Sequence, residues 1–175
     1  LHQVKYYKKT GVPPVDRGML MFYNMGKIDD TATINSIFEI EAAKKYMVNF
    51  DTYPLKLDIA LPLFSWGVLL RNNKVIRLIT ELDREDMLVD TNFVETKMNH
   101  FIVTRNIWYK AFNLNQGDII RIEQVNTDTT LRAAELIQSQ VRKEDTLNIA
   151  IFHFNNKSGH DYEQKQIQSI YSIFN

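Results

Sequence analysis

The longest nearly unbroken apolar run in the chain is LDIALPLFSW, residues 57–66. A run of this kind predicts a strand covered on both faces, as in parallel sheets packed between helices. Pro62 near its end is tolerable where strand pairing is running out. Residues 1–4 (LHQV) read as the tail of a strand, 18–25 (GMLMFYNM) as a second apolar strand, and 147–154 (LNIAIFHF) as a further one of the buried type. Between the first two, Gly11-Val12-Pro13-Pro14 forbids helix and favours an extended connection. Helical spacing places Ile40, Ala43, Met47 and Phe50 on one face over 38–50. It does the same for Ala133, Ala134, Ile137 and Val141 over 128–141, where Asp128 is the expected cap, and for Ile167, Ile170, Tyr171 and Phe174 over 161–174.

The pattern changes between 68 and 125. VLLR-NN-KVIRLI is two short runs about Asn72-Asn73, a hairpin signal, and a charged stretch follows at 81–86. Residues 100–110 and the alternating 118–125 (DIIRIEQV) read as two more strands joined near Asn115-Gln116-Gly117. The predicted fold class is therefore α/β: the C-terminal half of a (β/α) TIM-type barrel, carried by 1–67 and 126–175, with a small antiparallel α+β insertion at 68–125. Four parallel strands are too few to close an eight-stranded barrel, and a half-barrel leaves two open edges and an apolar inner face. Either a missing N-terminal half or self-association is expected to cover them. A complete small open sheet is the competing architecture. The opening Leu-His-Gln, with no methionine, reads as entry in mid-element, in the later part of a longer protein.

Composition narrows the functions. Lys and Arg number 21, as do Asp and Glu, which argues against a mainly electrostatic nucleic-acid binder. The cluster Lys5, Lys8, Lys9 reads as a solvated loop. There is no cysteine, hence no disulfide framework and no thiolate zinc site, and no metal set emerges from His2 and His153. No apolar stretch of about 18 residues exists to span a membrane. The glycines are scattered, without a phosphate loop, and Ser65 lacks the surroundings of a nucleophilic serine. No cofactor is expected.

Met21-Phe22-Tyr23-Asn24 with Gly26 resembles the Met-x-Tyr-Asp motif on the sixth strand of chitinase-like glycoside hydrolases. KLDIALPLFSWG, residues 56–67, resembles their seventh strand. The run from Leu1 to Gly26 together with ALPLFSWG is similar to a group of uncharacterised bacterial proteins, often lipoproteins, described as chitinase-like barrels. The resemblance implies a carbohydrate ligand and an extracytoplasmic setting in the cell envelope or periplasm. Two departures bear on activity. Asn24 stands where the hydrolases have Asp, and their acidic D-x-x-D-x-D-x-E strand, which supplies the proton donor, has no counterpart. General acid cleavage of a glycoside needs a carboxyl with a raised pKa at the leaving oxygen. The chain by itself is not expected to hydrolyse one.

The candidate ligand-binding residues are Gln3, Tyr23, Asn24, Trp66, His153 and Asn155, all placed by the pattern at strand ends. Each has a plain alternative: Tyr23 and Trp66 as packed aromatics, His153 as a satisfied core histidine, Asn24 as a strand-ending amide. Asp29 and Asp30 read as a solvated turn. Three functions follow: a carbohydrate-handling barrel fragment that is catalytically incomplete, a non-catalytic interaction or scaffold domain, and a sugar-binding module acting beside other chains.

Overall fold

The computed structural model describes residues 1–141, 147–153 and 164–174. In chain order the elements are α1 (His2–Thr10), β1 (Arg17–Met21), α2 (Ile40–Tyr46), β2 (Lys56–Pro62), β3 (Ser65–Arg71), β4 (Lys74–Thr80), α3 (Arg84–Val89), β5 (Phe93–Lys97), β6 (His100–Val103), β7 (Ile107–Tyr109), β8 (Phe112–Leu114), β9 (Ile119–Gln124), α4 (Thr127–Gln138), β10 (Ile149–Phe152) and α5 (Gln164–Ser172). They divide between two compact units. The first holds residues 1–26, 37–63 and 125–175, and the second 27–36 and 64–124.

In the first unit β1, β2 and β10 form a parallel sheet in the order β1-β2-β10. The register sets Leu20 beside Ile59, and Leu61 beside Ile151, on one face. Leu20, Ile59 and Leu61 are buried. Met19, Met21, Ala60, Ala150, Pro62 and Phe152 lie on the other face. There Met19 is 52 % exposed, Met21 58 % and Phe152 42 %. The helix α4 packs against β2, burying Ala133, Ala134 and Ile137, and its Thr130 hydroxyl donates to the Pro62 carbonyl at 2.7 Å. Its cap is Asn126, whose side chain accepts from the Thr129 N–H, two residues before the expected Asp128.

The half-barrel expectation is corrected. Residues 1–4 are not a strand but the start of α1, so among the described residues three strands are parallel rather than four. Among the described residues the small sheet does not close, and the larger sheet of the molecule is antiparallel. The physical reason is that four residues cannot display a period. What decides is the lysine-bearing last turn, favourable at the negative end of the helix dipole, and Gly11, whose φ of 78° ends the helix. Val4 is the residue that α1 buries. Phe154 at the end of the last predicted strand lies outside the described residues, as does the start of the last predicted helix.

The second unit is built on a five-stranded antiparallel sheet, order β4-β3-β9-β6-β5, with a two-stranded ribbon, β7-β8. Asn72 and Asn73, with φ of 51° and 60°, make the two-residue turn between β3 and β4 that the Asn-Asn signal predicts. Leu69, Ile79, Met87, Phe101, Ile120 and Ile122 belong to its buried core. Gly67 lies against that core, where a Cβ would come within 2.6 Å of Leu82 and 2.9 Å of Ile120. The charged stretch near 81–86 is the entry to α3, capped by Asp83, which accepts from the Asp86 N–H.

Candidate functional site

At the carboxyl end of the parallel sheet β1 gives way to Phe22, whose N–H donates to Ala60 at 2.8 Å, and then to Tyr23 and Asn24. Phe22 is fully buried against Phe38. Asn24 takes a left-handed backbone, φ 58°, and its N–H donates to the Ile37 carbonyl at 2.6 Å, which turns the chain out of the sheet with the Asn24 residue exposed. Asparagine tolerates this conformation better than most residues, because its short polar side chain can bond locally.

Tyr23 is buried, 7 % exposed, and burial pushes its hydroxyl pKa up, so it stays a neutral donor. Its ring stacks on Phe152, 5.1 Å between centroids and 14° between planes. Phe152 in turn meets the half-buried His153 at 4.9 Å. The Leu63 N–H, donating to the Phe152 carbonyl at 2.7 Å, holds this strand end in place. Tyr23, Phe152 and His153 thus form one aromatic cluster, and Asn24 adjoins it in the chain. Phe152 was not singled out by the apolar pattern of 147–154. Its one signal is alternation, since it falls on the same sheet face as Met19 and Met21.

The other predicted residues lie elsewhere. Gln3 sits on α1, where its amide donates to Thr10 Oγ1 at 3.0 Å and to the Gly11 carbonyl at 2.6 Å, tying off that helix's last turn. Asn155 lies outside the described residues. Trp66 belongs to the second unit. It is 8 % exposed, edge-on to Phe64, and its indole N–H donates to Glu123 at 2.9 Å, so it offers a ligand little of its face.

Glu123 is the hub of a buried polar network that no spacing rule announces. Its carboxylate accepts from Trp66, from the Ser36 N–H at 2.8 Å and hydroxyl, and from Arg121 Nε at 2.8 Å. Arg121, fully buried, also donates to the carbonyls of Ile28 at 3.0 Å and Asp30 at 3.1 Å. With every partner supplied, the pair fastens segment 27–36 onto the sheet; its plain role is structural. Asp29 and Asp30 are exposed on that segment, and Asp30 caps the Ala32 N–H.

Among the described residues four carboxyls are held away from their ordinary range, and all are held low. Arg17 lowers Asp58, with help from Asn148. Lys44 lowers Glu41, and Arg84 lowers Glu95. At Asp118 burial alone would raise the pKa, but Arg71 and the Asn115 N–H bring it down. A shallow, mixed cleft lined by Phe50, Asp51, Tyr53, Leu55, Leu57, Gln140, Val141 and Leu147 lies near the amino ends of β2 and β10, away from Tyr23. Among the described residues no group of three or more His, Asp or Glu side chains is placed to hold a metal, and no helix is long and apolar enough to cross a membrane.

No protein-family model, curated protein or solved structure matches this chain.

Proposed function

We propose that this chain is a non-catalytic carbohydrate-binding module that takes a sugar at the carboxyl end of its parallel sheet. The observation that carries this is the half-exposed ring of Phe152, braced from behind by Tyr23, with the exposed Asn24 next to Tyr23 in the chain. A braced aromatic ring is a rigid platform for the apolar face of a pyranose, and a nearby amide can both donate to and accept from its hydroxyls. The likeness of Met21–Asn24 to the chitinase-like strand motif points to the same ligand class. A glycosidase acid needs a raised pKa, and the carboxyls displaced among the described residues are displaced the other way, which favours binding over cleavage.

Calorimetric titration with chitohexaose tests it. Wild-type protein binds with the ring signals of Tyr23 and Phe152 shifting in NMR spectra. Phe152→Ala weakens binding tenfold or more while unfolding at the same denaturant concentration. Identical isotherms for the two proteins overturn the proposal.

A second reading, an interaction domain, is favoured by the same sheet's open face. Met19, Met21 and Phe152 form an apolar strip, and among the described residues β1 and β10 each pair on one side only. Self-association through this strip makes sedimentation concentration-dependent, and Met21→Lys abolishes the dependence. A wild-type chain that stays monomeric at millimolar concentration removes this reading.

A further inference from the structure

The ribbon β7-β8 turns one face inward and the other to solvent. Ile107, Tyr109 and Phe112 pack on the second unit's core, and Leu114 is fully buried in it. Tyr109 meets Phe93 edge-on at 5.1 Å, and the Arg77 guanidinium lies over the Phe112 ring at 4.2 Å. Lys110 and Ala111, both left-handed, close a tight turn, and the Lys110 ammonium donates to the Glu81 carbonyl. Ile107, Tyr109, Phe112 and Leu114 anchor the ribbon from its inner face. On that face Trp108 stands 74 % exposed, directly opposite the exposed Asn113 in the strand register. Side chains so paired sit about 5 Å apart at Cβ.

An indole in that position contributes little to folding, since most of its surface stays in water. What it supplies is a large, stiff, flat contact on a fixed backbone, a recurring feature of recognition surfaces. The neighbours say what kind of contact. A protein hot spot sits within a ring of other packed residues, whereas the cross-strand neighbour of Trp108 is a neutral amide. At the open end of the ribbon Asn106 Oδ1 accepts from the Gln116 N–H. A nucleic-acid platform needs cations tracking a phosphate backbone. Here Lys110 donates to the Glu81 backbone carbonyl and Arg105 to the Asn92 amide oxygen at 2.6 Å, so both cations are tied to the chain's own oxygens, and the chain has no net charge.

We infer that the outer face of the β7-β8 ribbon is a second sugar site, which stacks a neutral pyranose on Trp108 and hydrogen-bonds its hydroxyls through Asn113. The inference shares its ligand class with the proposed function but rests on a different unit and on different residues, so the two can fail separately.

The chain has two tryptophans, and the other, Trp66, is buried. Acrylamide-quenchable fluorescence therefore reports Trp108. In the full chain, chitohexaose, cellohexaose or xylohexaose shifts the emission to the blue and protects it from acrylamide at least twofold. Asn113→Ala weakens that response about tenfold, and Trp108→Ala removes the quenchable signal without changing the unfolding transition. No protection by any of the three sugars overturns the inference, and so does protection only by a single-stranded oligonucleotide that vanishes with added salt. The strand-end site has its own readout in the Tyr23 and Phe152 ring signals. Protection of Trp108 while those signals stay still sustains this site and sinks the other.

Discussion

In the second unit even the charged side chains at the middle of the sheet are covered. Arg121 and Glu123 are buried together beneath residues 27–36, while Ile120 and Ile122, on the opposite face of the same strand, lie in the apolar core. In the first unit one face of the central strand is closed by Ile59 and Leu61, but the other shares a surface with Met19, Met21 and Phe152, all substantially open to water. The contrast separates where folding energy is concentrated from where a ligand or partner can be met. A sheet face that exposes methionine and phenylalanine forgoes part of its hydrophobic stabilisation. A face with its charges fully paired has nothing left to offer a partner.

The sharpest way to break this comparison is at Glu123. Glu123→Ala leaves Arg121 buried without its carboxylate, and the expected loss is about 3–5 kcal/mol in guanidinium denaturation. A loss below about 1 kcal/mol would mean that the network is not closed in solution. Next comes Gly67→Ala, which drives a methyl group into Leu82 and Ile120 and should cost about 1–3 kcal/mol by the same measurement.

The acid limb compares the two units with one titration. Asp58 of the first and Asp118 of the second have folded pKa values below their unfolded ones, near 3.9. Each stabilises the fold fully above that unfolded value, and the contribution is lost as pH falls from about 4 through the lowered folded value. Denaturation midpoints followed from pH 6 to pH 2 should fall on this limb. Asp58→Asn and Asp118→Asn should each flatten part of it, and an unflattened curve would remove the assigned ion pair. The smallest effect belongs to the open face, where Met21→Ser should change stability by no more than about 0.5 kcal/mol. A loss comparable to that at Gly67 would show that the face is covered in solution.

Much of the fold was readable where a local pattern is long enough to carry a period. The Asn72-Asn73 hairpin and the α4 stripe of Ala133, Ala134 and Ile137 come directly from spacing, whereas the apolar run at 57–66, expected as one strand, is split: β2 ends at Pro62, and Ser65 and Trp66 open β3 in the antiparallel sheet. Residues 1–4 were not readable either, because a four-residue run fits a helix as well as a strand, and the outcome rests on Val4 and the lysines further along α1. Glu123 reads as an outward residue in an alternating strand, and nothing local reveals that Trp66, 57 positions away, and Ser36, 87 away, converge on it. At the candidate site Tyr23, Asn24 and His153 were legible as strand ends. Phe152 and Trp108 were not, since an aromatic residue in an apolar run looks the same whether it faces in or out.

The grip of Arg121 on the carbonyls of Ile28 and Asp30 spans 93 and 91 positions. During synthesis the early segment must wait for a guanidinium that leaves the ribosome some ninety residues later. Contacts of such long range are slow to form, and they leave intermediates with uncovered surface. It also means that the second unit cannot be excised as one uninterrupted stretch. A piece cut at 64 and 124 would carry Arg121 and Glu123 without their lid, and it should fold only when residues 27–36 are supplied as a peptide.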